Sequence, residues 1–185
     1  MRKLIVSTFL SLDGVMEDPG GSEGSDFGAW TIPYWNDETA AFKSAEMADA
    51  DALLLGRVTY AAFAAAWAGS SAPGSAEMNA LTKYVVTRTL TSFDWHNSHR
   101  LTGDLVEAVT ELKQQPGKNI LVYGSARLAG ALMGAGLVDE VRLLLYPLTL
   151  GRGKRLFPAG TRLPFRLISS ERLSTGVLAL VYATA

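Results

Sequence analysis

The chain has 185 residues, 48% of them hydrophobic, and a formal net charge of −1. That is enough apolar matter for one domain with a sizeable core, and it excludes a disordered chain and a strongly basic nucleic-acid or anionic-membrane binder. Cysteine is absent, which excludes disulfides, thiol catalysis, thiolate metal sites and the cysteine-ligated zinc of nucleobase deaminases.

The opening, "MRKLIVSTFLSLDG", starts basic and apolar, but Asp13 and Glu17 arrive where a secretory signal needs a small-residue cleavage site. No run approaches the roughly 18 apolar residues of a membrane span. The opening therefore reads as a first strand of a cytoplasmic protein, with residues 3–10 buried on both faces. Residues 11–35 are rich in Gly, Ser and acids and show no period. Loops of that length are often functional lids or disordered. Asp13, just before Gly14, is either a turn aspartate or a carboxylate facing a cleft. Trp30 and Trp35 either anchor the loop or form walls for a flat ligand. Asn36 then caps a helix, with Asp37 and Glu38 at the positive end of its dipole and Phe42, Ala45 and Ala48 or Asp49 at helical spacing.

Residues 51–56, "DALLLG", form a second buried strand, and "RVTYAAFAAAWA" the helix after it. "GSSAPGSAEMNA" reads as a loop, "KYVVTRTL" as a third strand, and "TSFDWHNS" as a short strand and turn. Thr102 or Gly103 opens a helix that places Leu105, Val109 and Leu112 on one face and ends at Pro116-Gly117. "NILVYG" is a strand, and the helix from Ala126 carries Leu128, Leu132 and Ala135 inward before stopping at Gly136. "LVDEVRLLLYPLTLG" is a long strand, and the last 21 residues form a hairpin that turns near Thr175-Gly176. The alternation predicts a single α/β domain over residues 1–185, with a mostly parallel sheet and an antiparallel C-terminal hairpin.

Strand ends carry the candidate chemistry. Gly56-Arg57 and Gly124-Ser125 each open a helix after a strand, and Thr87-Arg88-Thr89 ends another strand. In parallel sheets ligands gather outside the carboxyl ends of strands, where free helix N–H groups attract phosphate and arginines bind it in bidentate fashion. Two such corners suggest a ligand with several phosphates, held jointly by amides at Arg57 and Ser125. Plain turns explain each corner equally well. Neither a G-x-G-x-x-G fingerprint nor a P-loop is present. His96 and His99 lack a third ligand, so no metal site is expected.

"FLSLDGVMEDPGG", "LLLGRVTYAAF", "YVVTRTL" and "ILVYGSARLAGALMGAGLVDEVRLLLYPLTLGRGKRLF" resemble the dihydrofolate-reductase-like superfamily, and within it the reductase domain of riboflavin biosynthesis. The resemblance implies a three-layer fold with helices on both sheet faces, a homodimer, and NADPH as cofactor. It implies that Gly56, Arg57 and Thr59 line the cofactor phosphates, that Thr87 and Arg88 lie near the adenosine 2′-phosphate, and that Gly124, Ser125, Ala126, Arg127 and Leu128 cover the pyrophosphate. The nicotinamide would lie near Asp13 and Gly14. Trp30 and Trp35 stand as substrate candidates, and Asp13 as the acid tied to a motif. The implied reaction is hydride transfer to a pyrimidine ribosylamine or a related heterocycle. Dihydrofolate reduction and a non-catalytic NADPH-binding dimeric module are the alternatives. Folate reductases carry a carboxylate on the first helix near the position of Ala40, and Asp37 and Glu38 fall out of phase with it.

Overall fold

A computed structural model describes residues 1–184. Eight strands form one sheet in the order β4-β3-β2-β5-β1-β6-β8-β7. They are β1 (Leu4–Ser11), β2 (Ala50–Gly56), β3 (Thr82–Val86), β4 (Ser98–Leu101), β5 (Asn119–Tyr123), β6 (Glu140–Tyr146), β7 (Phe165–Arg172) and β8 (Leu178–Thr184). Strands β1 to β6 run parallel, and β8 runs antiparallel to both β6 and β7. This is the expected α/β architecture, closed by the C-terminal hairpin.

Helices cover both faces: α1 (Asp37–Ala48), α2 (Arg57–Trp67), α3 (Ser75–Ala80), α4 (Leu105–Gln114) and α5 (Ala126–Gly134). Side chains alternate across a strand, so Leu4 and Val6 pack with Leu112 of α4 and Leu132 of α5, while Ile5 packs with Tyr60 of α2 and Met78 of α3. Both faces of the central strands are thus dry, and "LIVSTFLS" reads as a nearly continuous apolar run for that reason.

Several local expectations shift. Residues 75–80, read as loop, form α3. The short strand expected within residues 91–98 lies further along, as edge strand β4 at 98–101. Helix α4 begins at Leu105, two or three residues beyond the expected opening at Thr102 or Gly103, after Asp104, whose carboxylate accepts from the N–H groups of Val106 and Glu107. Ala135 is exposed, at the cap of α5, and does not face the core.

The long loop is a fixed wrapping. Asp18 is fully buried and accepts hydrogen bonds from Glu23 N, Ser25 N and Ser25 Oγ. Val15 bridges Arg155, and Met16 N donates to Lys154 O. A small aromatic core (Phe9, Trp30, Tyr34, Tyr146) pins the loop to β1 and β6 through edge-to-face contacts around Tyr146. No helix among the described residues is long and apolar enough to cross a membrane.

Candidate active site

Strands β3, β2, β5 and β1 are neighbours and parallel, so their carboxyl ends share one edge. Thr87-Arg88, Gly56-Arg57, Gly124-Ser125 and the Asp13 turn therefore stand side by side in that order. The two glycine corners touch. Gly56 N donates to Ser125 Oγ at 3.0 Å, and Ser125 N donates to Thr59 Oγ1 at 3.0 Å.

This geometry corrects one expectation: the Ser125 N–H is spent on Thr59 and does not face an anion. The free donors lie one step further along. Helices α1 and α4 are capped by Asn36 and Asp104, whereas α2 and α5 have no side-chain cap among the described residues. The first-turn N–H groups of an uncapped helix have no intrahelical partner and carry the positive end of the dipole. Arg57, Arg88 and Arg127 are exposed beside these ends and form no ion pair among the described residues. Together they make an edge rich in unmet positive charge.

The two glycines differ. Gly124 (φ 55°) and Ser125 (φ 56°) are consecutive left-handed residues, and a Cβ on Gly124 would lie 3.2 Å from Thr59 Cγ2. The fold itself requires glycine there. At Gly56 φ is −76°, and a Cβ would make only ordinary contact, 3.5 Å from Ser125 Oγ. Neither backbone nor packing calls for glycine at 56; close approach by a ligand would.

Other candidates are redefined. Leu128 is buried in the core, so only its backbone faces the corner. Thr87 Oγ1 accepts from Thr89 N and Leu90 N and closes a turn. Trp30 is 7% exposed, and its Nε1 donates to Glu17 O at 2.8 Å. It is an anchor of the loop and cannot wall a ligand. Trp35 is 50% exposed and meets Phe9 edge-on at 6.2 Å, so of the two indoles it is the one open to a substrate.

Asp13 is a clamp. Its carboxylate accepts from Ser11 Oγ (2.6 Å), Leu150 N (3.1 Å) and Gly151 N (2.8 Å), tying the segment after β6 to the turn after β1. The Ser11 hydroxyl and these amides hold its pKa down to about 2. A carboxylate ionised at neutral pH has no proton to give, so the geometry does not suit Asp13 as the acid. His96 and His99 are exposed, and among the described residues no three His, Cys, Asp or Glu side chains come together.

Two side chains absent from the sequence reading lie beside this edge. Lys43 and Glu46, on the inner face of α1, pair over the middle of the sheet, with Lys43 Nζ 3.9 Å from the centre of the Tyr123 ring. A search for apolar periodicity passes over them. Two concavities open on the surface, and the first of them borders the site. One, about 540 Å³, begins at Ala126 and Arg127 and runs along α5 to Leu163; the other, about 310 Å³, lies between Phe42 of α1 and Ile168 of β7.

Fold and edge together define a dihydrofolate-reductase-like α/β domain. Residues 2–179 match the family model of the RibD C-terminal domain, and the chain belongs to that family. A putative riboflavin biosynthesis protein from Shewanella sp. PV-4 has the same fold, with a TM-score of 0.78, 22% identity and 99% of each chain covered. A pyrimidine reductase-like protein from Corynebacterium diphtheriae NCTC aligns with a TM-score of 0.68 at 12% identity, over 100% of this chain and 92% of that one. RibD of Acinetobacter baumannii aligns at 0.63 and 16% identity, covering 100% of this chain but 58% of that one. "Uncharacterized protein YyaP" of Bacillus subtilis (strain 168) is 38% identical over 101 residues, which span 54% of this chain and 53% of that relative.

Proposed function

We propose that this chain is an NADPH-dependent reductase that transfers a hydride to an electrophilic carbon of a small pyrimidine or related heterocycle. The observation that carries this reading is the contact of Gly56 with Ser125, which joins two uncapped helix N-termini into one anion-attracting corner. A dinucleotide diphosphate is an elongated polyanion of suitable charge for that corner. Arg57 and Arg127 flank it, and Arg88, one strand further out, is assigned to the 2′-phosphate. Gly56 leaves the phosphate path open. When bound, NADPH would supply the hydride; the protein supplies position and charge.

Membership in the RibD C-terminal domain family and the names of the solved relatives, a riboflavin biosynthesis protein and a pyrimidine reductase-like protein, support this substrate class. The test is NADPH oxidation in the presence of a pyrimidine ribosylamine phosphate, with dihydrofolate as the comparison. Turnover of the first and not of the second is expected. Tight NADPH binding without turnover of either would favour a non-catalytic binding module.

Self-association is assigned to the C-terminal hairpin. Edge strand β7 is exposed along nearly its whole length, with Leu167 and Ile168 each 50% exposed. An open strand edge that carries exposed apolar side chains is a ready template for pairing with a second chain. Light scattering of the wild type should give a dimer, and Ile168→Glu a monomer.

A further inference from the structure

The outer half of the sheet holds a cavity that the reductase reading does not use. It occupies about 310 Å³ between helix α1 and strands β6, β8 and β7. One stripe of α1, spaced i, i+3, i+4 and i+7, supplies Phe42, Ala45, Glu46 and Asp49 to its wall. The facing wall is apolar at Val181 of β8 and at Ile168 of β7, where a bulge interrupts the β7–β8 ladder. A bulge re-aims the side chain it carries, and Ile168 is the one that lines the cavity. Glu140 opens β6, and Asp49 directly precedes β2. The cavity therefore lies toward the amino ends of the parallel strands, away from the corner that Gly56 and Gly124 form at their carboxyl ends.

The charges in this wall are unevenly met. Arg142, its one cation, donates to Glu140 at 2.6 Å, and Glu140 also accepts from Lys3 at 3.3 Å. Asp49 accepts from the neutral side-chain amide of Asn119 at 2.7 Å and forms no ion pair among the described residues. Glu46 is fully buried. Its Oε2 accepts from Lys43 Nζ (2.5 Å), Ser7 Oγ (2.9 Å) and Tyr123 OH (3.2 Å), which come from α1, β1 and β5. Its Oε1 is buried with no hydrogen-bond partner among the described residues. The cavity lies on the other flank, against β6, β8 and β7, and Oε1 is the oxygen left for it. A buried carboxylate oxygen without a donor is costly, and a donor arriving from the cavity removes that cost.

These walls fix the chemistry of the occupant. An anion would meet Glu46 and Asp49, with Arg142 already engaged. A bare divalent ion needs more ligands than this wall gives, since no three His, Cys, Asp or Glu side chains come together among the described residues. We propose that the cavity is a second ligand site, separate from the cofactor edge, for a small organic cation. The ligand is a protonated amine whose ammonium donates to Glu46 Oε1, with Asp49 at the rim, and whose hydrocarbon body lies between Phe42, Ala45, Ile168 and Val181. The proposal does not depend on the reductase reading.

The test titrates the full-length wild type, in its own oligomeric state, with benzylamine, following the backbone amide resonances. Benzyl alcohol and benzoate are the neutral and anionic controls of similar size. Benzylamine should shift the amides of Ala45, Asp49, Ile168 and Val181 and bind at least about tenfold more tightly than either control, the value of one charge-assisted hydrogen bond. Glu46→Gln sets an amide donor where an acceptor is needed and should weaken benzylamine by about 10- to 100-fold. That change disturbs Lys43 and can unfold the domain. Ala45→Trp, which fills the cavity from the exposed side of α1 and leaves every ion pair in place, is therefore the second variant; checked by thermal melting, it should lose benzylamine altogether. Retention of wild-type affinity by either folded variant overturns the proposal. So does a control that binds as tightly as benzylamine, a set of shifts centred on Arg57 and Ala126 at the carboxyl edge, or no saturation of the wild type by about 10 mM benzylamine.

Discussion

The Gly56 N–H and the Ser125 hydroxyl oxygen are 3.0 Å apart and hydrogen-bonded, so the turns after β2 and β5 form a single corner. Residues 69 positions apart in the chain thereby bring two helix dipoles to one place. The cofactor assignment rests on this contact, and it makes the function testable by small substitutions.

Arg88 is exposed just past the end of β3 and forms no ion pair among the described residues. Arg88→Ala should weaken NADPH by about 1.5–3 kcal/mol, the value of a hydrogen bond to a charged group, and leave NADH nearly unchanged, because only NADPH carries the 2′-phosphate. Equal losses for both cofactors, measured by fluorescence titration, would remove Arg88 from the site.

Substitutions at the two glycines should separate binding from folding. Gly56→Val sits at ordinary φ with room for its Cβ. It should keep the melting temperature of wild type within a few degrees and lose most NADPH affinity. Gly124→Ala must hold a left-handed φ and press on Thr59, which should cost about 1–2 kcal/mol of stability. Indistinguishable melting curves for the two would contradict this division.

The tryptophans should part in the same way. Trp30→Ala empties the aromatic cluster around Tyr146 and should cost about 3–5 kcal/mol in denaturant unfolding. Trp35→Ala should leave stability nearly intact and raise KM for substrate. A large loss of stability from Trp35→Ala would make it an anchor as well.

Lys83 gives a pH signature. It is fully buried, donates to Asn79 O and Leu81 O at 2.8 Å, and lies 4.4 Å from the centre of the Trp95 ring. Burial pulls its pKa from 10.5 to about 8. Between those values the unfolded chain holds the proton and the folded chain sheds it, so this residue's contribution to stability rises with pH across that window. Below pH 8 both states are charged and the cost is fully present. Relative to Lys83→Met, the unfolding midpoint of wild type should therefore climb from pH 8 to 10. A flat difference would show that the carbonyl contacts and the indole face keep Lys83 charged.

The sheet was legible because its central strands are buried on both faces and spell apolar runs bounded by glycine, and the helix starts at Asn36 and the two glycine corners follow from simple capping and turn chemistry. Strand β4, "SHRL", was not, because an edge strand with two exposed charged or polar residues shows no alternation. Helix α3 is six residues long with one large apolar side chain, Met78, too short for a period. The inward face of α1 differs from the expected one because hydropathy marks Phe42 and Ala45, whereas Thr39 and Glu46 are the residues fully buried and Ala45 is exposed. Propensity carries no signal for a buried ion pair whose other partners, Ser7 and Tyr123, come from two separate strands. Asp13 shows the converse limit: its motif is plain in sequence, but the three donors that fix its charge become visible only in three dimensions.

The most direct test of the shared corner is an NADPH titration followed by the backbone amide resonances of the wild-type protein. The amides of Arg57, Val58 and Thr59 and those of Ala126, Arg127 and Leu128 should shift together along one saturation curve. Shifts confined to one helix start, or two curves with different midpoints, would contradict the account.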